Sequence, residues 1–459
     1  MPRRRVDTVP SPSTLLSTPQ SFVAWSIAHG LQRRFLHRAA AKGDVMAGLA
    51  TDSALYDDPY PSYEQLRAQG RVVRNGLVAG TVDHAVANAI LRSDDFGTGA
   101  GQGELPAPLR RLHQLVRDTD TLSPVDPPSM LVVDPPVHTH YRRLVSRAFT
   151  ARKVGRMADR VDSVATRLLD DLGREPTFDL VGRYAAQLPV AVIADILGVP
   201  EHERGPLLEW GNLAATTLDP GLSWGQYRAA EVALRQMHAW FDHHLDRLRR
   251  DPGSDLLSQV VQDPEAADLS RDELHAIGLL VLGAGFETTV NLIGNAVALL
   301  DAHPDQRRWL QDNPDGWGNA VEEVLRHDAP VQLTMRAASC DTEVGGERIA
   351  EGEAVLVYLG GANRDPAVFD DPATFDVRRT NAAEHVASSA GVHFCLGASL
   401  ARLEATVALR TLFDRYPDLR VVGRPERRTT RVLRGWEYLP VSTVADASSV
   451  PRPDLRSVG

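Results

Sequence analysis

The chain has 459 residues, 43% of them hydrophobic and 24% charged, with 50 Lys and Arg against 60 Asp and Glu for a formal net charge of −10. This is the balance of a globular protein with ample material for a large core, and the acidic excess argues against a chain built to neutralise nucleic-acid phosphates. Two cysteines cannot form a disulfide framework, which points to a reducing, cytoplasmic setting.

Residues 1–20 are rich in Pro, Ser and Thr and are expected to form a disordered arm. The basic start is not followed by the apolar stretch of a secretory signal. Within 21–45, "SFVAWSIAHGLQRRFLHRAAAKG" sets Phe22, Trp25, Ala28, Leu31 and Phe35 at helical spacing, with Arg33, Arg34, Arg38 and Lys42 around them. It reads as an extra amphipathic helix, which either packs on the body of the protein or touches a membrane or partner. Residues 46–445 are expected to form one domain, and 446–459 a flexible tail.

Between about 96 and 130 the chain is dense in Gly and Pro, the pattern of an irregular binding loop. Most of the remainder repeats apolar residues at three and four, as in "RYAAQLPVAVIADILGV" and "WGNAVEEVLRHDAP". The most apolar stretch, 276–300, is long enough to span a membrane but carries Glu287, Asn291 and Asn295. A charge near a bilayer centre costs at least ~2.5 kcal/mol, so this segment is read as a buried helix and no membrane span is expected. Strand-like pieces occur early ("RVVRNGLVAGTV") and late ("DTEVGGERIAEGEAVLVYL", "RRTTRVLRGWEYLPVSTV"). The expected fold class is mainly α with a small mixed β-sheet.

Four stretches carry chemistry-bearing residues. In "GVHFCLG", Cys395 sits before a helical pattern beginning near Leu396. The helix N-terminus favours a thiolate by at most ~2 kcal/mol, and the apolar setting opposes it by a similar amount. A stable thiolate here therefore needs a metal cation. Taken alone, an inert cysteine at a helix entrance is the other reading; of the metals, zinc lacks companion ligands, whereas haem iron needs only one protein thiolate. In "GAGFETT", Gly283 and Gly285 cost about 1 kcal/mol each inside a helix. They suit either the approach of a flat group or a helix-crossing notch, while Glu287 with Thr288 and Thr289 forms a polar cluster able to pass protons. In "EEVLR", Glu323 and Arg326 share a helix face. In "DPPVHTHYRRLV", His138 and Arg142 do the same, and both can reach an anion.

Taken together these residues resemble the cytochrome P450 family, most closely its soluble bacterial members, over roughly residues 50–440. The cysteine loop is matched by Gly391, His393, Cys395 and Gly397; the oxygen-side helix by Ala284, Gly285, Glu287 and Thr288; the Glu-x-x-Arg helix by Glu323 and Arg326. The Asp-Pro-Pro-x-His-x-x-x-Arg segment is matched by Asp134, Pro135, Pro136, His138 and Arg142, and Arg336 stands at a propionate-binding position. The resemblance implies haem b, with Cys395 as axial ligand and His138, Arg142, Arg336 and His393 on the propionates. It also implies that Ala284 and Gly285 lie against the haem, that Thr288 faces dioxygen, that Glu287 lies on the proton route and that Glu323 and Arg326 form a structural brace. Gly283, Leu333, Thr334 and Trp436 would border the substrate pocket.

The activity implied is insertion of oxygen from O2 into a lipophilic small molecule, with electrons from NAD(P)H through a ferredoxin reductase and a ferredoxin. The ferredoxin would dock near Arg143, Arg147, Arg152, Lys153 and Arg402. Oxidative coupling, peroxide-driven oxidation and a non-catalytic haem-binding role are the alternatives. Two positions depart from the pattern. Ser388 replaces the leading Phe of the cysteine loop, and Thr374 replaces the arginine that usually joins the brace, a role left to Arg378 or Arg379.

Overall fold

In the computed structural model the described residues are 18–76, 78–98, 115, 121–173 and 175–444. The expected disordered arm (apart from its last three residues), the tail 446–459 and most of the Gly/Pro-rich loop lie outside them. The architecture is organised around the helix Arg271–Ala302, 32 residues long. Its start is fixed by a capping box: Ser270 Oγ accepts from the Glu273 N–H, and the Ser270 N–H donates to the Glu273 carboxylate. Apolar residues occur on every face, the mark of a helix buried all round. It is the one helix among the described residues that is long and apolar enough to cross a membrane, and 72% of its most apolar window is buried in the protein. The polar residues that argued against a span tie it to distant chain instead. Asn295 Nδ2 donates to the carbonyls of Asp328 and Arg434 at 3.1 and 3.2 Å.

The helices Gln187–Leu197, Arg204–Ala215, Trp224–Arg250, Trp317–His327 and Ala398–Arg415 pack around this axis. Two glycines allow close helix approach. A Cβ on Gly211 would lie 2.4 Å from the Phe286 ring, and one on Gly285 would lie 2.8 Å from Ile193.

The mixed five-stranded sheet runs Val73–Arg74, Ala79–Thr81, Ala354–Val357, Thr334–Ala338, Phe96–Gly97. Ala79–Thr81 and Ala354–Val357 are parallel, and the other neighbours are antiparallel. The pairing Arg336↔Val355 fixes the register of the strand that carries Arg336. Three smaller sheets complete the β content, so the fold is mainly α with small sheets, as expected.

The N-terminal region departs from its simple pattern. It forms Thr18–Trp25, a π turn Ser26–Gly30 and Leu31–Ala40. The extra residue in the π turn shifts the phase of the helix that follows it. Ser21, Ala24 and Ile27 are the buried positions, whereas Phe22, Leu31 and Phe35 of the expected apolar stripe are 48, 49 and 47% exposed.

Candidate functional site

A cavity of about 1520 Å³ lies between the central helix, the five-stranded sheet and the loop that carries Cys395. The loop is held by backbone constraints. Gly391 has φ +66°, and a Cβ there would come within 2.3 Å of the Leu91 carbonyl, so only glycine fits. The Cys395 N–H donates to the Ser388 carbonyl at 2.9 Å. A 3₁₀ turn covers Gly391–His393, and the helix starts at Ala398, two residues later than the sequence pattern suggested. The Gly397 and Ala398 N–H groups reach the sulfur, and Arg142 and Arg402 add positive potential. Burial outweighs them and pushes the thiol up from its ordinary value. Helix and burial were expected to balance; desolvation by the surrounding protein wins, although Cys395 is exposed and lines the cavity.

Four basic side chains gather on one rim. His138, Arg142, Arg336 and His393 all line the cavity, and the two imidazoles lie 4.2 Å apart, centroid to centroid. Burial, followed by Arg336 and His138, pulls His393 down to about 4. Burial also lowers Arg336 to about 10, and lowers His138 and Arg142. Asp134 lies 3.5 Å from His393 Nε2, at the outer limit of a hydrogen bond, and opposes the downward shift; that buried nitrogen has no closer partner among the described residues. A rim with this many desolvated donors is built for added negative charge.

On the opposite wall stand Gly283, Ala284, Gly285, Glu287 and Thr288. No atom lies within 4 Å of where a Gly283 Cβ would point. The notch at Gly285 serves Ile193, so this glycine acts in helix packing although it borders the cavity. Thr288 Oγ1 donates to the Ala284 carbonyl at 3.1 Å. Glu287 is buried and paired with Arg428, and its second carboxylate oxygen has no partner among the described residues. Burial outweighs the arginine and pushes Glu287 up to about 7. Arg428 lies 141 residues away in an arginine-rich loop, and nothing in the sequence marked which of its arginines would reach the helix.

Leu333 and Thr334 line the cavity as expected, and the described loop residues Ser123, Met130 and Leu131 join them. Trp436 does not. It is buried in the main core, with the Arg427 guanidinium 3.7 Å from its ring centroid. It starts a short strand paired with Glu426–Arg427, which turns the indole away from the cavity.

Behind the cysteine loop, Arg326 is bidentate to Glu323 at 2.7 and 2.8 Å and donates to the carbonyls of Asn363, Pro372 and Thr374. Arg379, not Arg378, completes this brace: it lies 3.3 Å from Glu323 and donates to the carbonyls of Asp370, Asp371 and Thr374. Arg378 is exposed, 3.5 Å from Asp376. Among the expected docking cations, Arg143 and Arg147 pair with Glu265 and Asp263, and Arg402 is held by Glu322. Arg152 and Lys153 are exposed and have no ion-pair partner among the described residues.

A family model described as Cytochrome P450 matches residues 318–423. "Putative cytochrome P450 140" of Mycobacterium tuberculosis (strain ATCC 25618 / H37Rv) is 49% identical over 434 residues, which cover 94% of this chain and 99% of that protein. The "6-deoxyerythronolide B hydroxylase" of Saccharopolyspora erythraea is 42% identical over 67% of this chain and 76% of its own length. Among solved structures, ligand-free CYP164A2 of Mycobacterium smegmatis superposes with a TM-score of 0.77 at 33% identity, covering 87% of this chain and 99% of that one.

Proposed function

The chain belongs to the cytochrome P450 family and is therefore a haem b-dependent monooxygenase; we propose that it oxidises a lipophilic small molecule with electrons from NAD(P)H by way of a ferredoxin and its reductase. The residues fit the haem. Cys395 offers a single sulfur that its surroundings do not ionise, and the basic rim presents His393 Nε2 with no partner closer than Asp134 at 3.5 Å. The wall at Gly283 is open to a flat group. When bound, the haem iron activates O2, and a thiolate ligand donates electron density that favours O–O cleavage.

In this reading Cys395, positioned by the Ser388 carbonyl and the helix N–H groups, would supply the iron's protein ligand. His138, Arg142, Arg336 and His393 would hold the haem through its two carboxylates. Glu287, pushed up to about 7 by burial against the pull of Arg428, takes and releases a proton in the working pH range. Thr288 presents a hydroxyl to the cavity and can exchange its bond to the Ala284 carbonyl for one to a ligand. Arg152 and Lys153 are the exposed cations left for an acidic electron donor.

The observation that carries the substrate class is the cavity wall. Leu49, Leu55, Met130, Leu234, Met237 and Leu280 give it a largely apolar lining, in which Thr288 is a polar group. Titrating the haem-loaded protein with lipophilic compounds should give saturable Soret shifts, and the compounds that shift the band should yield oxygenated products with ferredoxin, reductase and NAD(P)H. Soret shifts only with small hydrophilic compounds, or full turnover without an electron donor, would contradict the reading.

A further inference from the structure

The cavity runs outward to the N-terminal helices, where Ile27, Ala28, Leu31, Gln32, Phe35 and Leu36 form part of its wall. This segment is fastened to the start of the Trp224–Arg250 helix. Trp25 Nε1 donates to the Leu222 carbonyl at 2.8 Å, the Gly221 N–H donates to Gln32, Ser21 bonds Glu231, and the Phe22, Trp25 and Trp224 rings cluster. It is therefore a fixed rim of the cavity. Its outer face is unlike the rest of this acidic protein. From Thr8 to Gly43 the chain has no Asp or Glu, while Arg33, Arg34, Arg38 and Lys42 fall within ten residues.

The two kinds of side chain share one surface. At 3.6 residues per turn, Leu31 and Phe35 lie about 40° apart on the Leu31–Ala40 helix, and Arg38 and Arg34 follow about 20° and 60° to the other side of Leu31. All four are exposed, and among the described residues no carboxylate pairs with Arg34, Arg38 or Lys42. Leu31 and Phe35 stand where the cavity wall meets solvent, half exposed, and are two of the ten large apolar side chains exposed among the described residues.

We propose that residues 18–43 are a docking surface for an anionic lipid bilayer, with Leu31 and Phe35 entering the acyl boundary, Arg34, Arg38 and Lys42 at the headgroups, and the cavity mouth placed at the lipid. The geometry favours lipid over an acidic protein. Leu31 and Phe35, side by side on one helical face, need a pocket in a protein partner, whereas a bilayer yields to them. The cations face the same way as the apolar pair, as a headgroup layer requires. The role given to the mouth rests on the reading of the cavity as the seat of a lipophilic substrate.

The test is co-sedimentation of the haem-loaded full chain with vesicles of phosphatidylglycerol and phosphatidylcholine in equal parts, beside vesicles of phosphatidylcholine alone. Binding to the anionic vesicles, weakened as salt rises, is expected. Leu31→Ser with Phe35→Ser should lower the partition coefficient at least about tenfold. Arg34→Gln with Arg38→Gln should lower it only on anionic vesicles. Thermal unfolding of both variants at the parental temperature shows that the fold is kept. No binding by the parent chain would overturn the proposal. So would loss in the charge variant with none in the apolar variant, the pattern of a surface for an acidic protein. Intact ligand-induced Soret shifts without vesicle binding would remove only this surface, and vesicle binding without such shifts would remove only the substrate reading.

Discussion

Two buried carboxyls, Glu287 and Glu404, sit on facing helices and answer pH differently. Glu404 on the Ala398–Arg415 helix is 1% exposed, and burial pushes it up to about 8, with a hydrogen bond to Thr289 opposing the rise. Its folded value lies above the ordinary 4.5, so the fold favours the protonated form. That contribution is fully present below about pH 4.5 and is lost as pH rises through about 8. Glu404→Gln keeps the shape without the charge. Its Tm should match the parent near pH 5 and exceed it by at least about 2 °C near pH 8; a constant difference across that range would contradict a neutral buried acid. Glu287 differs because Arg428 is its partner, so removing its charge leaves a buried cation uncompensated. Its readout is therefore kinetic. Glu287→Gln should lower kcat about a hundredfold and erase a bend near pH 7 in the rate profile. Thr288→Ala should keep electron consumption while losing product. Unchanged coupling in Thr288→Ala would take that hydroxyl out of the chemistry.

Among the structural elements, the brace shows how a missing motif residue is replaced. The sequence pattern lacks an arginine at Thr374, yet Arg379 reaches Glu323 because the turn through Asp376 carries it back over the Trp317–His327 helix. Arg379→Ala should destabilise the loaded protein by about 1–3 kcal/mol, since it removes bonds to one carboxylate and three carbonyls. Arg378→Ala, on the exposed side, should be neutral within about 0.5 kcal/mol. Equal effects of the two in denaturant titration would contradict the assignment. The N-terminal helix shows the opposite failure of pattern reading. Its spacing of Phe22, Trp25, Leu31 and Phe35 was legible, but the buried stripe is Ser21, Ala24 and Ile27, and the π turn Ser26–Gly30 rephases the helix that follows it. A single extra residue in one turn has no spacing signal of its own.

For the molecule as a whole, the legible features were those set by local sequence. They include the apolar central helix, the Gly391–Cys395 loop, the Glu323–Arg326 pair and the His138–Arg142 face, which together pointed to the family and its haem. The features not legible were contacts across long sequence separations: Arg428 on Glu287, Ile193 in the notch of Gly285, and the strand that turns Trp436 into the core. Residue type cannot report these, because several arginines and apolar side chains compete for each place and packing decides among them.

The central claim is that Cys395, a thiol its own surroundings leave protonated, is the ligand that binds haem iron as a thiolate. The measurement that tests it most directly is the absorption spectrum of the reduced, haem-loaded protein under carbon monoxide, recorded for the parent chain and for Cys395→His. The parent should show the strongly red-shifted Soret band of a thiolate-ligated haem, and Cys395→His the shorter-wavelength band of histidine ligation. A histidine-type band in the fully loaded parent chain, or a red-shifted band that survives the substitution, would contradict the account.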